Sequence, residues 1–175
     1  MWRLIARTLA KGAFTLKAPP ASSDGLAELA ARVAGASRTR LGRSLVIREV
    51  DAGSCNGCEL EIHAVNNPVY DLERFGIRFA ASPRHCDVLL VTGPVTKNMA
   101  EALKRTYDAT PNPKWVVAVG DCAFNGGLFQ GGYAVVGGVH EVVPVDLHIR
   151  GCPPTPTQLL TGLLALLETV ERPQP

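Results

Sequence analysis

From Ser44 onward the chain is a series of short, valine-rich apolar runs of strand length: SLVIREV (44–50), FGIRFAAS (75–82), DVLLVTG (87–93), WVVAVG (115–120) and HEVVPVDLHIRG (140–151). Each is released into a glycine-containing loop and often into a helical stretch, from about Lys97 to Tyr107 and in QLLTGLLALLETV near the C-terminus. A strand with one wet face alternates apolar and polar residues. Near-continuous apolar strands belong instead in a parallel sheet covered on both faces. The expected fold is therefore α/β, a flavodoxin-like, doubly wound, mainly parallel sheet.

The 175 residues suit one such domain with an extension. Residues 44–175 are read as the α/β domain and residues 1–43 as a basic N-terminal extension. In that extension Trp2, Ile5, Leu9, Ala13 and Leu16 recur at helical steps, with Arg3, Arg7 and Lys11 on another face. This is the pattern of a basic amphipathic helix, either docked on its own domain or lying at an interface. Pro19-Pro20 end it, Ser22-Ser23-Asp24 cap a second helix to about Val33, and 35–42 reads as a polar linker. The chain carries a net charge of +2, but Arg3, Arg7, Lys11, Lys17, Arg32, Arg38, Arg40 and Arg43 face only Asp24 and Glu28 in the extension. Such asymmetry suits contact with something anionic. No apolar run reaches membrane-spanning length, and neither a secretory nor a twin-arginine signal is present, so a soluble or peripheral protein of the cytoplasm is expected.

Five cysteines in a reducing compartment point to metal or redox chemistry rather than to a disulfide framework. In open α/β sheets function gathers outside the carboxyl ends of the strands. Three strands there release the chain into a cysteine: Val50 toward Cys55 and Cys58, Gly120 toward Cys122, Ile149 toward Cys152. Cys86 precedes a strand and reads as a small buried hydrophobe. Four thiolates suit zinc or an iron-sulfur cluster. Zinc ribbons usually pair two CxxC knuckles, whereas a single pair here is completed by two isolated cysteines in GDCAFNGG and RGCPPTP, which favours the cluster. Glycines 53, 57, 120, 126, 127 and 151 let backbone approach it, and Cys152-Pro153 matches the cysteine-proline ending of ferredoxin motifs. A thioredoxin-like CxxC explains the first pair alone.

DAGSCNGCELE, SPRHCDVLLVTGPVT, VGDCAFNGG and RGCPPTP, in that order, resemble the small subunit of membrane-associated, energy-converting (group 4) nickel-iron hydrogenases of the formate hydrogenlyase type, a family homologous to the matching subunit of NADH-quinone oxidoreductase, complex I. The resemblance runs from about Ser44 to Glu168. It implies that Cys55, Cys58, Cys122 and Cys152 hold one [4Fe-4S] cluster, the proximal cluster beside a large catalytic subunit. It further implies an electron-transfer subunit that is not catalytic alone, with a hydrogenase-type large subunit, a ferredoxin-like iron-sulfur subunit and integral membrane subunits as partners. Peripheral location on the cytoplasmic side of the cell membrane follows, with residues 1–17 as a candidate lipid contact. Subunits of the complex I type usually carry adjacent cysteines at the first position. Cys55-Asn56-Gly57-Cys58 departs from that and favours the hydrogenase type.

The alternatives are a complex I-like quinone reductase subunit and, from a different class, a zinc-binding structural or assembly protein. Glu59 is a candidate proton relay, or with Glu61 a carboxylate favoured by a helix N-terminus. Backbone amides around Gly57, Ala123 and Gly151 are candidate donors to the cluster sulfurs. His63, His85, His140 and His148 show no ligand spacing and read as structural. GDCAFNGG and VVGGVH match neither nucleotide fingerprint, and no aromatic residues interleave with a basic patch, so nucleic acid is not an expected partner.

Overall fold

The computed structural model describes residues 23–169; the amphipathic segment 1–17 lies outside them. Helix α1 (Ser23–Leu41) opens the described chain. Ala30, Val33, Ala34 and Ser37 fall three and four apart and are buried, and Leu41 packs against the same core. The segment 35–42, expected as a linker, is thus mostly the second half of this helix. It carries an apolar stripe with its own burial, and the Ser37 hydroxyl donates to the Arg43 carbonyl at 3.0 Å. The basic residues of this region are in part used within the fold. Arg32 pairs with Glu168, Arg40 donates to the Leu167 carbonyl, and Arg43 grips the buried carboxylate of Asp87 with two bonds of 3.0 and 2.5 Å.

Five strands form the main sheet: β1 (Val46–Asp51), β2 (Arg78–Phe79), β3 (Val88–Thr92), β5 (Trp115–Val119) and β7 (Leu147–Ile149). They lie in the order β2-β1-β3-β5-β7, all parallel. Counted among themselves they run 2-1-3-4-5, the flavodoxin order, in which the chain reverses direction across the sheet between the first and third strands. All five residues of β3 and of β5 are buried, as continuous apolar runs require. The runs at 75–82 and 140–151 contribute less than expected. Each is largely loop and 3₁₀ turn, because only Arg78–Phe79 and Leu147–Ile149 find a neighbour to pair with.

Helices cover both faces. Helices α1, α2 (Gly57–Val65) and α5 (Pro156–Thr169) pack over Ile47, Leu90, Trp115, Val117 and Ile149. Helix α3 (Lys97–Ala109), through Leu103, and the short α4 (Gly120–Asn125), through Ala123, cover Val46, Leu89, Val91 and Val116. Removing each such large side chain from water contributes about 1.5–3 kcal/mol. A two-stranded antiparallel ribbon of β4 (Val95–Thr96) and β6 (Val135–Gly137) sits apart from the main sheet; the apolar pattern did not signal it. Among the described residues no helix is long and apolar enough to cross a membrane.

Candidate metal centre

The parallel sheet sends the carboxyl ends of β1, β5 and β7 to one edge, and each end leads into a cysteine segment. After β1 the Asp51 carboxylate accepts from the backbone N–H groups of Gly53 and Ser54, both at 2.7 Å. That turn presents Cys55 at an exposed position, and Asn56, with φ of 70°, redirects the chain into α2. Cys58 consequently falls in the first turn of α2 and is half-buried. Strand β5 passes directly into α4, which carries a half-buried Cys122, and β7 ends three residues before an exposed Cys152.

Two glycines allow this gathering. Gly120 has φ of +86°, and a Cβ there would stand 2.7 Å from the Cys58 sulfur and 3.4 Å from the Gly151 carbonyl oxygen. Gly127 has φ of +51°, and its Cβ would stand 2.8 Å from the Cys122 sulfur. Both combine a backbone conformation that disfavours side chains with close approach to a thiol. The segments are also tied to each other: the Asp121 N–H donates to the Gly151 carbonyl at 2.8 Å.

The thiols sense one another. Burial pushes the Cys58 thiol up to about 12, helped by the charges of Glu59, Cys122, Cys55 and Cys152. Cys122 is also raised, by burial and then by Cys152, against a backbone hydrogen bond from Leu128 that favours its thiolate. A thioredoxin-like pair would use Cys55 and Cys58 alone and leaves Cys122 and Cys152, carried to the same edge, without a role. The described residues form no group of three or more His, Cys, Asp or Glu close enough to ligate one metal ion. Four cysteine thiols carried to one edge by three strand ends are a sulfur donor set that suits either zinc or an iron-sulfur cluster.

Cys86 lies elsewhere, buried in the other core layer with its sulfur donating to the Pro83 carbonyl at 3.1 Å. Glu59 occupies the first turn of α2 but is buried, 7% exposed, and neither carboxylate oxygen has a hydrogen-bond partner. Its place in the first turn is where the helix dipole favours a carboxylate. Glu61 lies in the next turn and is half-buried. His63, His85 and His140 are exposed, and His148 packs its ring edge-on against Phe124.

Two features of the edge escape the sequence reading. The Leu128 N–H meets the Cys122 sulfur because the turn at Gly126-Gly127 folds the chain back. Asp121 and Arg150 pair at 2.6 Å, and that hydrogen bond holds the Asp121 carboxyl below its ordinary range. Their meeting depends on register: Val119 stands opposite Ile149 in the sheet, so the residues just beyond both become neighbours. The available signal was that each charge abuts a cysteine segment, in GDC and in RGC.

An α/β domain of flavodoxin order with a cysteine-lined strand edge is the class of protein defined here. The fold recurs in an NAD+-reducing nickel-iron hydrogenase in its H2-reduced state, with a TM-score of 0.56 and 25% identity over 76% of this chain and 96% of that one. It also recurs in a membrane-bound sulfane sulfur reductase, an archaeal respiratory membrane complex, with a TM-score of 0.64 and 37% identity over 75% of this chain and 71% of that one. Residues 55–166 match the family described as NADH ubiquinone oxidoreductase, 20 Kd subunit, and the chain belongs to that family. An uncharacterized protein of Methanocaldococcus jannaschii is 53% identical over 122 residues, 70% of this chain and 82% of that protein. Formate hydrogenlyase subunit 7 of Escherichia coli is 45% identical over 76% of this chain, which spans 52% of that relative's length. A probable membrane-bound hydrogenase subunit of Pyrococcus furiosus is 44% identical over 75% of this chain and 79% of its own length. The resemblance found in the four cysteine motifs is borne out.

Proposed function

We propose that this chain is an electron-transfer subunit of a membrane-associated, hydrogenase-type complex related to complex I, and that Cys55, Cys58, Cys122 and Cys152 hold one [4Fe-4S] cluster in it. The observation that carries this reading is the gathering of four cysteines from three strand ends on one edge of the sheet. Bound there, a cluster accepts and returns single electrons. The chain's own residues supply the setting. Cys58 and Cys122 are half-buried on that edge, and the Leu128 amide donates to the Cys122 sulfur.

Relatives bear names from formate hydrogenlyase, a membrane-bound hydrogenase and a sulfane sulfur reductase, while the family takes its description from NADH ubiquinone oxidoreductase. Those names differ in their terminal chemistry, which supports placing in this chain a step that such complexes share. The hydrogen chemistry itself then belongs to a large catalytic subunit, with a ferredoxin-like iron-sulfur subunit and integral membrane subunits completing the path. Leu60, on the helix of Cys58, and Leu128, in the turn that follows the helix of Cys122, are 61 and 90% exposed. Large apolar side chains left in water beside a site suit burial by a partner.

In the intact complex, Cys122→Ser with iron quantitation and low-temperature EPR is expected to diminish or alter the cluster signal. An unchanged signal removes Cys122 from the ligand set, and a complex that contains zinc without iron ends the reading in favour of a zinc protein. A complex I-like quinone reductase subunit is the second reading, favoured by the family description. Two CxxC pairs in the large-subunit gene would select hydrogenase, and their absence would select the quinone reductase. Contact of residues 1–17 with lipid belongs to the same proposal. Charge reversal at Arg3, Arg7 and Lys11 is expected to weaken membrane association at low salt; unchanged association would assign that segment to protein contacts instead.

A further inference from the structure

We infer that Arg150 is a positioning residue that clamps the two single-cysteine segments together and, with Asp121, sets a pair of opposed charges beside the redox group; this rests on the cluster reading above. Arg150 stands two residues before Cys152 yet makes its contacts on α4, around Cys122. Its Nε donates to Asp121 Oδ1 at 2.6 Å, and its guanidinium lies 4.1 Å from the centre of the Phe124 ring. Asp121 and Phe124 flank Cys122 in sequence on either side. Backbone bonds reinforce the join: the Asp121 N–H reaches the Gly151 carbonyl at 2.8 Å, and the Gly151 N–H lies 3.4 Å from Asp121 Oδ1.

An ordinary surface ion pair contributes little to stability, and with side chains 56 and 37% exposed this pair is no exception on Coulomb energy alone. Its position gives it a different use. A planar guanidinium can hydrogen-bond through its edge while stacking through its face, which an ammonium cannot do. Arg150 does both at once, so it fixes the separation and tilt of two segments that the sheet delivers independently. Phe124 is itself braced edge-on by His148 at 4.9 Å, which gives the stack a rigid backing.

The charges act separately from the clamp. A group that gains one negative charge on reduction is stabilised by a nearby cation and destabilised by a nearby anion. The intact pair nearly cancels; breaking it from either side exposes one sign. Arg150→Gln therefore lowers the midpoint potential and Asp121→Asn raises it. For half-exposed charges acting partly through water, each shift should change the reduced-to-oxidised ratio at fixed potential by about threefold, or about 28 mV at 59 mV per tenfold for one electron.

The experiment uses the intact complex carrying Arg150→Gln, Asp121→Asn, both together, or Arg150→Lys, with iron content, EPR-monitored redox titration and the rate of iron loss to a chelator as readouts. Opposite shifts in the two single variants, near-cancellation in the double, and Arg150→Lys at the wild-type potential but with iron lost severalfold faster are expected. Shifts of the same sign, no shifts, or Arg150→Lys indistinguishable from wild type in iron loss would overturn the inference while leaving the cluster in place. A wild-type complex without an iron-sulfur signal would overturn the cluster reading, and this inference with it. Should Arg150→Gln fail to assemble, the Lys and Asn variants decide.

Discussion

Gly120→Ala places one methyl group where the edge is tightest. The added Cβ would stand 2.7 Å from the Cys58 sulfur, at a backbone φ of +86°. Optimal non-bonded contact is about 3.5–4.0 Å, so the overlap is about 1 Å. The left-handed conformation costs an L-residue about 1–2 kcal/mol, and overpacking a well-filled site adds about 1–3 kcal/mol, which together destabilise by roughly 2–5 kcal/mol. The next contact, the Gly151 carbonyl oxygen at 3.4 Å, belongs to backbone tied to Asp121. The sulfur of Cys58 is therefore the atom that must yield, and its retreat takes a proposed cluster ligand off the edge. Gly35→Ala is the control, since a Cβ at this exposed site in α1 meets nothing within 4 Å and the change is expected to stabilise by about 0.5–1 kcal/mol. Iron per subunit, EPR line shape and resistance to limited proteolysis, compared in the assembled complex, read both effects. Full iron with an unaltered line shape in Gly120→Ala would refute the close approach of β5's end to Cys58.

Arg43→Met strands the Asp87 carboxylate, which is 5% exposed and which also accepts from the Val46 N–H at 3.0 Å; with the arginine itself half in water, a loss of about 1–3 kcal/mol is expected in denaturant melts. Leu160→Ala, at a fully buried position of α5, should cost about 2–5 kcal/mol by the same measurement. Burial, then His140 and Arg150, lowers the pKa of His148. The unfolded chain therefore takes up that proton first, so this contribution is fully present above the ordinary 6.5 and is lost as pH falls below it. His148→Phe should flatten stability measured across about pH 5 to 7, and an unchanged slope would assign the loss to other groups.

Elements whose identity depends on local pattern are legible in the residues themselves. DVLLVTG and WVVAVG are too apolar for anything but central strands, and both strands are wholly buried. Lys97 to Tyr107 reads as a helix, and that helix runs to Ala109. HEVVPVDLHIRG misleads because an apolar run becomes a strand only where a neighbour offers hydrogen bonds, and β5 offers them only to Leu147–Ile149. The stretch 35–42 misleads in the opposite sense, since its glycines and arginines look like linker while Ser37 and Leu41 continue the buried stripe of α1. At the cysteine edge, the choice of Cys55, Cys58, Cys122 and Cys152 over Cys86 follows from position relative to strand ends. The Leu128 amide, the buried and unpartnered Glu59 and the Arg150–Asp121 clamp do not, because each depends on a distance between segments.

The order of residues alone determined a parallel sheet with covered faces and cysteines placed after its strands, since burial pattern and chain direction are carried by the sequence itself. Only the folded molecule decided which segments touch: the register that sets Val119 against Ile149, the close approach of Gly120 to the Cys58 sulfur, and the helices that cover the Trp115 face of the sheet. Those are long-range facts, fixed when separate stretches compete for the same hydrogen bonds and the same volume. No single stretch contains them.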